Sequence, residues 1–144
     1  AEMWSDGECY HHEKKRLTGI QVIVDEDNYN RISRLRVALD NEEWGSWRET
    51  AWEYGAPVEQ PALLLQEGEE MIGATTHTND DGELSSLELT LNTGRRQFWG
   101  STDTRGTTRI KSVLEESKLA YLSGGKTGLK YQLTFHWERP GPCD

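Results

Sequence analysis

Asp25-Glu26-Asp27-Asn28, with Asn30 close behind, gathers side-chain oxygens of the kind that hold Ca²⁺. The run lacks the turn glycine and the terminal glutamate of a calcium loop, so it reads as a solvated turn. Asp80, Asp81 and Glu83 form a second acidic turn with the same reading. His11-His12-Glu13 offers metal ligands by type. Adjacent residues of an extended segment point to opposite sides, however, so this pair reads as a polar N-terminal arm. His77 and His136 stand singly among strand-like residues and read as surface or hydrogen-bonded histidines. No metal and no cofactor is expected. Trp44, Trp47, Trp52 and Tyr54 crowd one stretch. Such rings either stack on a sugar or form core, rim or partner interface. There is no nucleophile elbow, phosphate loop or H-E-x-x-H motif, so a binding protein is expected rather than an enzyme.

Charge narrows the partners. The 144 residues carry 16 Lys and Arg against 25 Asp and Glu, a net charge of −9. Phosphate is repelled and no basic stripe overrides this, so nucleic acid is not an expected partner. Neutral ligands such as sugars and cationic partners stay open. No apolar run reaches the length of a membrane-spanning helix. The chain starts at Ala1. Removal of a signal peptide accounts for that start, as does an artificial one, and a secreted, extracellular protein is expected.

Two cysteines, Cys9 and Cys143, sit near the two ends. Their spacing excludes C-x-x-C chemistry. They form either a disulfide pinning the termini, worth about 4–5 kcal/mol in the chain-entropy model, or two free thiols. A disulfide would place the protein in an oxidising compartment.

The elements that must position these groups read as strands. Ile20 to Val24 alternates before an acidic turn, and Ile32 to Leu39 sets Leu35, Val37 and Leu39 against Arg34 and Arg36. Leu84 to Leu91 turns Leu87, Leu89 and Leu91 one way and Ser86, Glu88 and Thr90 the other. At the end, Leu129, Tyr131, Leu133, Phe135 and Trp137 alternate with Lys130, Gln132, Thr134 and His136. Period-two alternation marks half-buried strands. Asn79-Asp80-Asp81-Gly82, Asn92-Thr93-Gly94, Gly124-Gly125 and Gly55-Ala56-Pro57 supply turns between them. Residues 110–122 admit a helix, but their apolar spacing favours two short strands around Glu115-Glu116-Ser117. A sandwich, barrel or prism follows from this spacing of turns.

Four stretches together resemble the jacalin-related lectins, in particular the animal branch that includes the zymogen-granule lectin and the prostatic spermine-binding protein. They are Gly19 to Val24 followed by Ile32 to Val37; Leu65 to Gly73; Leu87 to Arg95 followed by Phe98-Trp99-Gly100; and Leu122 to Gly128 ending in Leu133 to Trp137. Together they span about residues 17–137. The resemblance implies an all-β prism of three four-stranded Greek-key sheets over 17–137. Residues 1–16 are then an N-terminal arm and 138–144 a C-terminal tail.

That resemblance also implies a sugar site at one end of the prism. In the family, an N-terminal glycine-rich loop meets a Gly-x-x-x-Asp loop before the last strand. Here the loop runs Gly124, Gly125, Lys126, Thr127, Gly128, Leu129, Lys130, Tyr131, Gln132, and Tyr131 or Gln132 falls where the family has its aspartate. The N-terminal region, Trp4-Ser5-Asp6-Gly7-Glu8, has one glycine. The expected ligand set is therefore Asp6, Gly7, the loop residues Gly124 to Gly128 with Lys130, Tyr131 and Gln132, and the turn cations Arg95 and Arg96. Tyr131 or an adjacent aromatic would stack on a sugar, although the inward parity of Tyr131 in the last strand favours a core role, and the cations would meet an acidic glycan. Two functions stay open at this point. One is a secreted lectin with a divergent site for a glycan or glycoprotein. The other is an interaction protein of the same fold, with homo-oligomers possible, that has lost sugar binding and takes polycations on its acidic surface.

Overall fold

The computed structural model describes residues 2–113 and 117–138, apart from the side chains of Glu2, Cys9 and Val113. The expected Cys9–Cys143 pairing falls outside those residues, as does all but Glu138 of the C-terminal tail.

Strands follow one another along the chain: β1 (Glu2–Ser5), β2 (Leu17–Asp25), β3 (Arg31–Leu39), β4 (Arg48–Glu49), β5 (Pro57–Glu59), β6 (Leu63–Leu64), β7 (Met71–Thr78), β8 (Leu84–Leu91), β9 (Arg96–Gly100), β10 (Thr108–Val113), β11 (Lys118–Thr127) and β12 (Lys130–Glu138). One short helix, α1 (Gly7–His11), and a 3₁₀ turn at Glu26–Asn28 interrupt them. The stretch 110–122 is divided between β10 and β11, as the spacing suggested. All ladders are antiparallel.

They form three sheets. The first has the order β4-β3-β2-β5, with β6 also on β2. The second has the order β10-β7-β8-β9, and the third β1-β11-β12. In each of the first two, the fourth strand returns beside the first, which is Greek-key order. Among the described residues the strand counts are five, four and three, where the resemblance implied four in each. In the third sheet the N-terminal segment supplies a strand, with Trp4 opposite Gly124 and Met3 opposite Gly125.

The apolar faces of all three sheets meet in one core. Ile20 and Val22 from β2, Leu35 from β3, Leu87 and Leu89 from β8 and Leu122 from β11 are fully buried there. Burying one such leucine stabilises the fold by about 1.5–3 kcal/mol. Trp99 joins the core, and its indole N–H donates to the Pro61 carbonyl at 2.8 Å. The alternation read from the sequence holds from Leu87 to Leu91 in β8 and from Arg34 to Val37 in β3. It breaks at Ile32 and Ser33 of β3, which are both buried, because the pairing passes from Ile23–Arg34 to Val24–Ile32 and leaves Ser33 as an extra residue. A bulge of this kind turns two successive side chains to nearly the same side.

Two expectations change here. Leu129 is 81% exposed, because it occupies the two-residue turn Gly128-Leu129 instead of the inward face of β12. Gly128, at φ +63, takes the positive-φ position of that hairpin. The second change is Asp25, which is fully buried rather than solvated. Burial raises its pKa, but N–H donors from Tyr54, Ala56, Asp27 and Gly55 outweigh that, and the carboxyl ends below its ordinary value. It clamps the loop before β5 to the end of β2.

Candidate functional site

A groove of about 290 Å³ separates the edge of the third sheet from the edge of the first. Met3 and Trp4 of β1, Gly125 and Lys126 of β11, and Trp47, Arg48 and Glu49 around β4 line it. β4 is held against β3 with Arg48 opposite Leu35 and Glu49 opposite Arg34.

Each wall is braced from behind. The Trp4 indole lies across Gly124, where a Cβ would stand 3.0 Å from the ring. The Arg48 guanidinium sits 4.3 Å over the same ring and donates to Asp6 Oδ1 at 2.8 Å. Asp6 is buried behind it, and its amide donates to the Leu122 carbonyl at 3.0 Å. Arg36 lies over the Trp47 ring at 4.3 Å, and Trp47 lines the groove. Lys126 lies 5.7 Å from the Trp52 ring and 5.2 Å from the Tyr131 ring. Tyr131 is itself buried; desolvation pushes its phenol above the ordinary value, and Lys126 pulls in the other direction. The phenol therefore stays protonated.

This arrangement suits a polyhydroxylated ring. An indole face packs on the apolar C–H side of a sugar, while Arg48 and Lys126 donate and Glu49 accepts from hydroxyls. Among the described residues, no group of three or more His, Cys, Asp or Glu could hold a metal ion. His11 instead packs in a ring cluster with Tyr10 and Tyr121, at 5.0 and 5.4 Å.

Solved structures resemble this architecture throughout its length. A prostate-specific glycoprotein lectin superposes with a TM-score of 0.68 at 18% identity, over 96% of this chain and 90% of that one. Artocarpin, solved with mannotriose, gives 0.63 at 16% identity, over 96% and 90%. The mannose-binding lectin from champedak gives 0.64 at 20% identity, over 96% and 89%. This chain has the jacalin-type β-prism fold. No protein-family model and no curated protein matches its sequence.

Within the β-prism, the expected site residues do not converge as one set. The stretch from Gly124 to Gln132 is mostly strand rather than loop: Gly124 to Thr127 end β11, Lys130 to Gln132 begin β12, and Gly128-Leu129 alone is the turn. Gly125 and Lys126 line the groove and Gly124 seats Trp4. Thr127, Gly128, Lys130 and Gln132 are exposed around the hairpin. Tyr131, being buried, is not the stacking ring the sequence suggested. Asp6 braces Arg48 from below, and Gly7 opens α1 against Tyr121.

Arg95 and Arg96 lie at the other end of the prism. Arg95 is bound to buried Glu69 through Nε and Nη2 at 2.9 and 2.6 Å and also donates to the Leu64 carbonyl. The neighbouring Glu70 is 3.9 Å from Lys118, the first residue of β11. Lys126, near the opposite end of that strand, is roughly 25–30 Å away at strand rise. Arg95 is therefore a loop clamp remote from the groove. The residues that sequence reasoning did not assign to the site are Met3, Trp4, Trp47, Arg48 and Glu49. The tryptophan cluster was the available signal for one wall. Nothing local in the sequence says that β4 lies beside β1.

Proposed function

We propose that this chain is a secreted carbohydrate-binding domain, related to the jacalin lectins, that holds a saccharide in the groove between β1 and β4. The observation that carries the proposal is that groove: indole walls, two cations and a carboxylate gathered at one end of a lectin fold. Glu49 supplies the acceptor carboxylate that the family places at the position where Tyr131 stands here. The site is therefore divergent, and its ligand preference is its own. Two fold neighbours were solved with saccharides, artocarpin with mannotriose and MPA with the T-antigen disaccharide. The function is recognition rather than catalysis.

A panel of immobilised glycans tests this. The protein is expected to bind a subset and to be displaced by the matching free saccharide. Glu49→Gln and Lys126→Ala should each weaken binding by tenfold or more. A protein that binds no glycan, or whose binding ignores both changes, rejects the groove as a sugar site. Retention lost steeply with added salt, and indifferent to free sugar, would instead indicate polycation binding by the acidic surface.

A further inference from the structure

The first sheet carries a ring stack beside the groove. Trp44 bridges back to Ala38, and the Gly45 amide donates to the Val37 carbonyl at 2.9 Å, so the chain doubles back along β3. Arg36 of β3 lies over both tryptophans of that return, 5.0 Å from the centre of Trp44 and 4.3 Å from that of Trp47. Gln21 Oε1 accepts from Arg36 Nε and Nη2 at 3.0 and 2.6 Å and holds the cation in place. The benzo end of Trp44 is anchored, with Cη2 3.1 Å from where a Gly19 Cβ would stand. Ring carbon C2 is at the other end of the indole, next to its own Cβ.

We infer that Trp44 is the acceptor of a C-linked hexose, joined to indole C2 by a carbon–carbon bond. Two observations support this. Trp44-Gly45-Ser46-Trp47 has the Trp-x-x-Trp spacing that secretory C-glycosyltransferases read. The same two tryptophans close on one arginine, so both rings of the spacing are held together in the fold. The inference rests on the proposal that the chain is secreted.

The donor required is a mannose carried on the phosphate of a polyisoprenoid lipid. The electron-rich C2 carbon attacks the anomeric carbon, the lipid phosphate leaves with the bonding pair, and the C2 proton passes to a base of the transferase. Nothing is oxidised or reduced. Transfer precedes closure of the stack, because Trp44 is half-buried once folded.

The test is mass spectrometry of the chain sent through the secretory pathway of animal cells behind an added leader. That leader makes the result independent of where the protein naturally resides. Trypsin releases residues 37–48, which contain both tryptophans and Ser46. The expected peptide is heavier by one hexose, localised to Trp44, and fragments within the sugar ring because the carbon–carbon link survives. An unmodified peptide, or a hexose on Ser46 that leaves whole, overturns the inference. Trp47→Ala should abolish the modification, and hexose retained on Trp44 in that variant would also overturn it. Since transfer precedes folding, cell-retained and secreted chains are both read, so misfolding does not hide the answer. Glycan binding by the chain made without the modification is measured separately and bears only on the groove.

Discussion

Replacing Arg48 by alanine should cost more stability than its position at a sheet edge suggests. The side chain of Asp6 is 5% exposed, that of Arg48 is 23% exposed, and they meet at 2.8 Å. Arg48 is the partner of Oδ1, while Oδ2 is buried without a hydrogen-bond partner among the described residues. Arg48→Ala therefore strands a buried carboxylate. Breaking such a pair costs about 3–5 kcal/mol, and the exposure of Arg48 places this case near 3. Asp6→Asn keeps one hydrogen bond and leaves a cation that water can reach, for a cost of about 1 kcal/mol. Asp6→Asn combined with Arg48→Met removes both charges and keeps most of the packing on Trp4, so about 1–2 kcal/mol is expected. The coupling between the sites is then roughly 2–3 kcal/mol. Urea unfolding followed by tryptophan fluorescence measures each variant, with an unchanged slope showing that stability alone has moved. At this chain length, ~3 kcal/mol lowers the melting temperature by about 6–12 °C. Single changes that add to the double within about 0.5 kcal/mol would refute the buried-pair reasoning.

Three further outcomes follow from the core and the loops. Glu69 has its pKa lowered to about 2 from 4.5, first by the Arg95 hydrogen bonds and then by Thr93 and the Gln66 amide. Its contribution is present above about pH 4.5 and is lost as pH falls through about 2, so the stability gap between wild type and Glu69→Gln should close across that range. Acid titration of the two proteins by circular dichroism reads it. Gly82→Ala should destabilise by more than about 2 kcal/mol, since φ is +73 and the new Cβ would lie 2.0 Å from the Tyr131 carbonyl oxygen. Gly94→Ala, at φ +91 with open space around it, should cost only about 1–2 kcal/mol by the same denaturation measurement. Leu87→Ala, at a fully buried position, should cost about 3–4 kcal/mol.

Much of this fold is written in local alternation. Leu87, Leu89 and Leu91 face the core because strand side chains have a period of two, and that period needs no knowledge of neighbours. Leu129 broke the rule because it falls in the two-residue turn ahead of β12, and whether Gly128 turns or continues is decided by pairing across β11 and β12. Asp25 looked like a solvated carboxylate because its four N–H partners come mostly from residues 54–56, far along the chain. Arg95 looked like a ligand cation for a similar reason: its partner Glu69 is 26 residues away, and an arginine in a turn says nothing of a buried carboxylate across the loop. The groove was hardest to see. Its walls come from β1, β4 and β11, at the start, the middle and the end of the sequence, and they are adjacent only because three sheets close into a prism. The tryptophans near Trp47 were visible as a cluster, but that Trp47 lines the groove depends on the pairing of β4 with β3.

The central claim is that a sugar sits between Trp4, Trp47 and Lys126. Titration of the isotopically labelled protein with its best-binding saccharide, followed through backbone amide and indole N–H resonances, reads this position by position. Shifts concentrated at Trp4, Trp47, Glu49 and Lys126, with the Arg95 turn unmoved, are the predicted result. Shifts centred on Arg95 and Arg96, or on the exposed hairpin at Gly128 with the Trp47 indole silent, would contradict it.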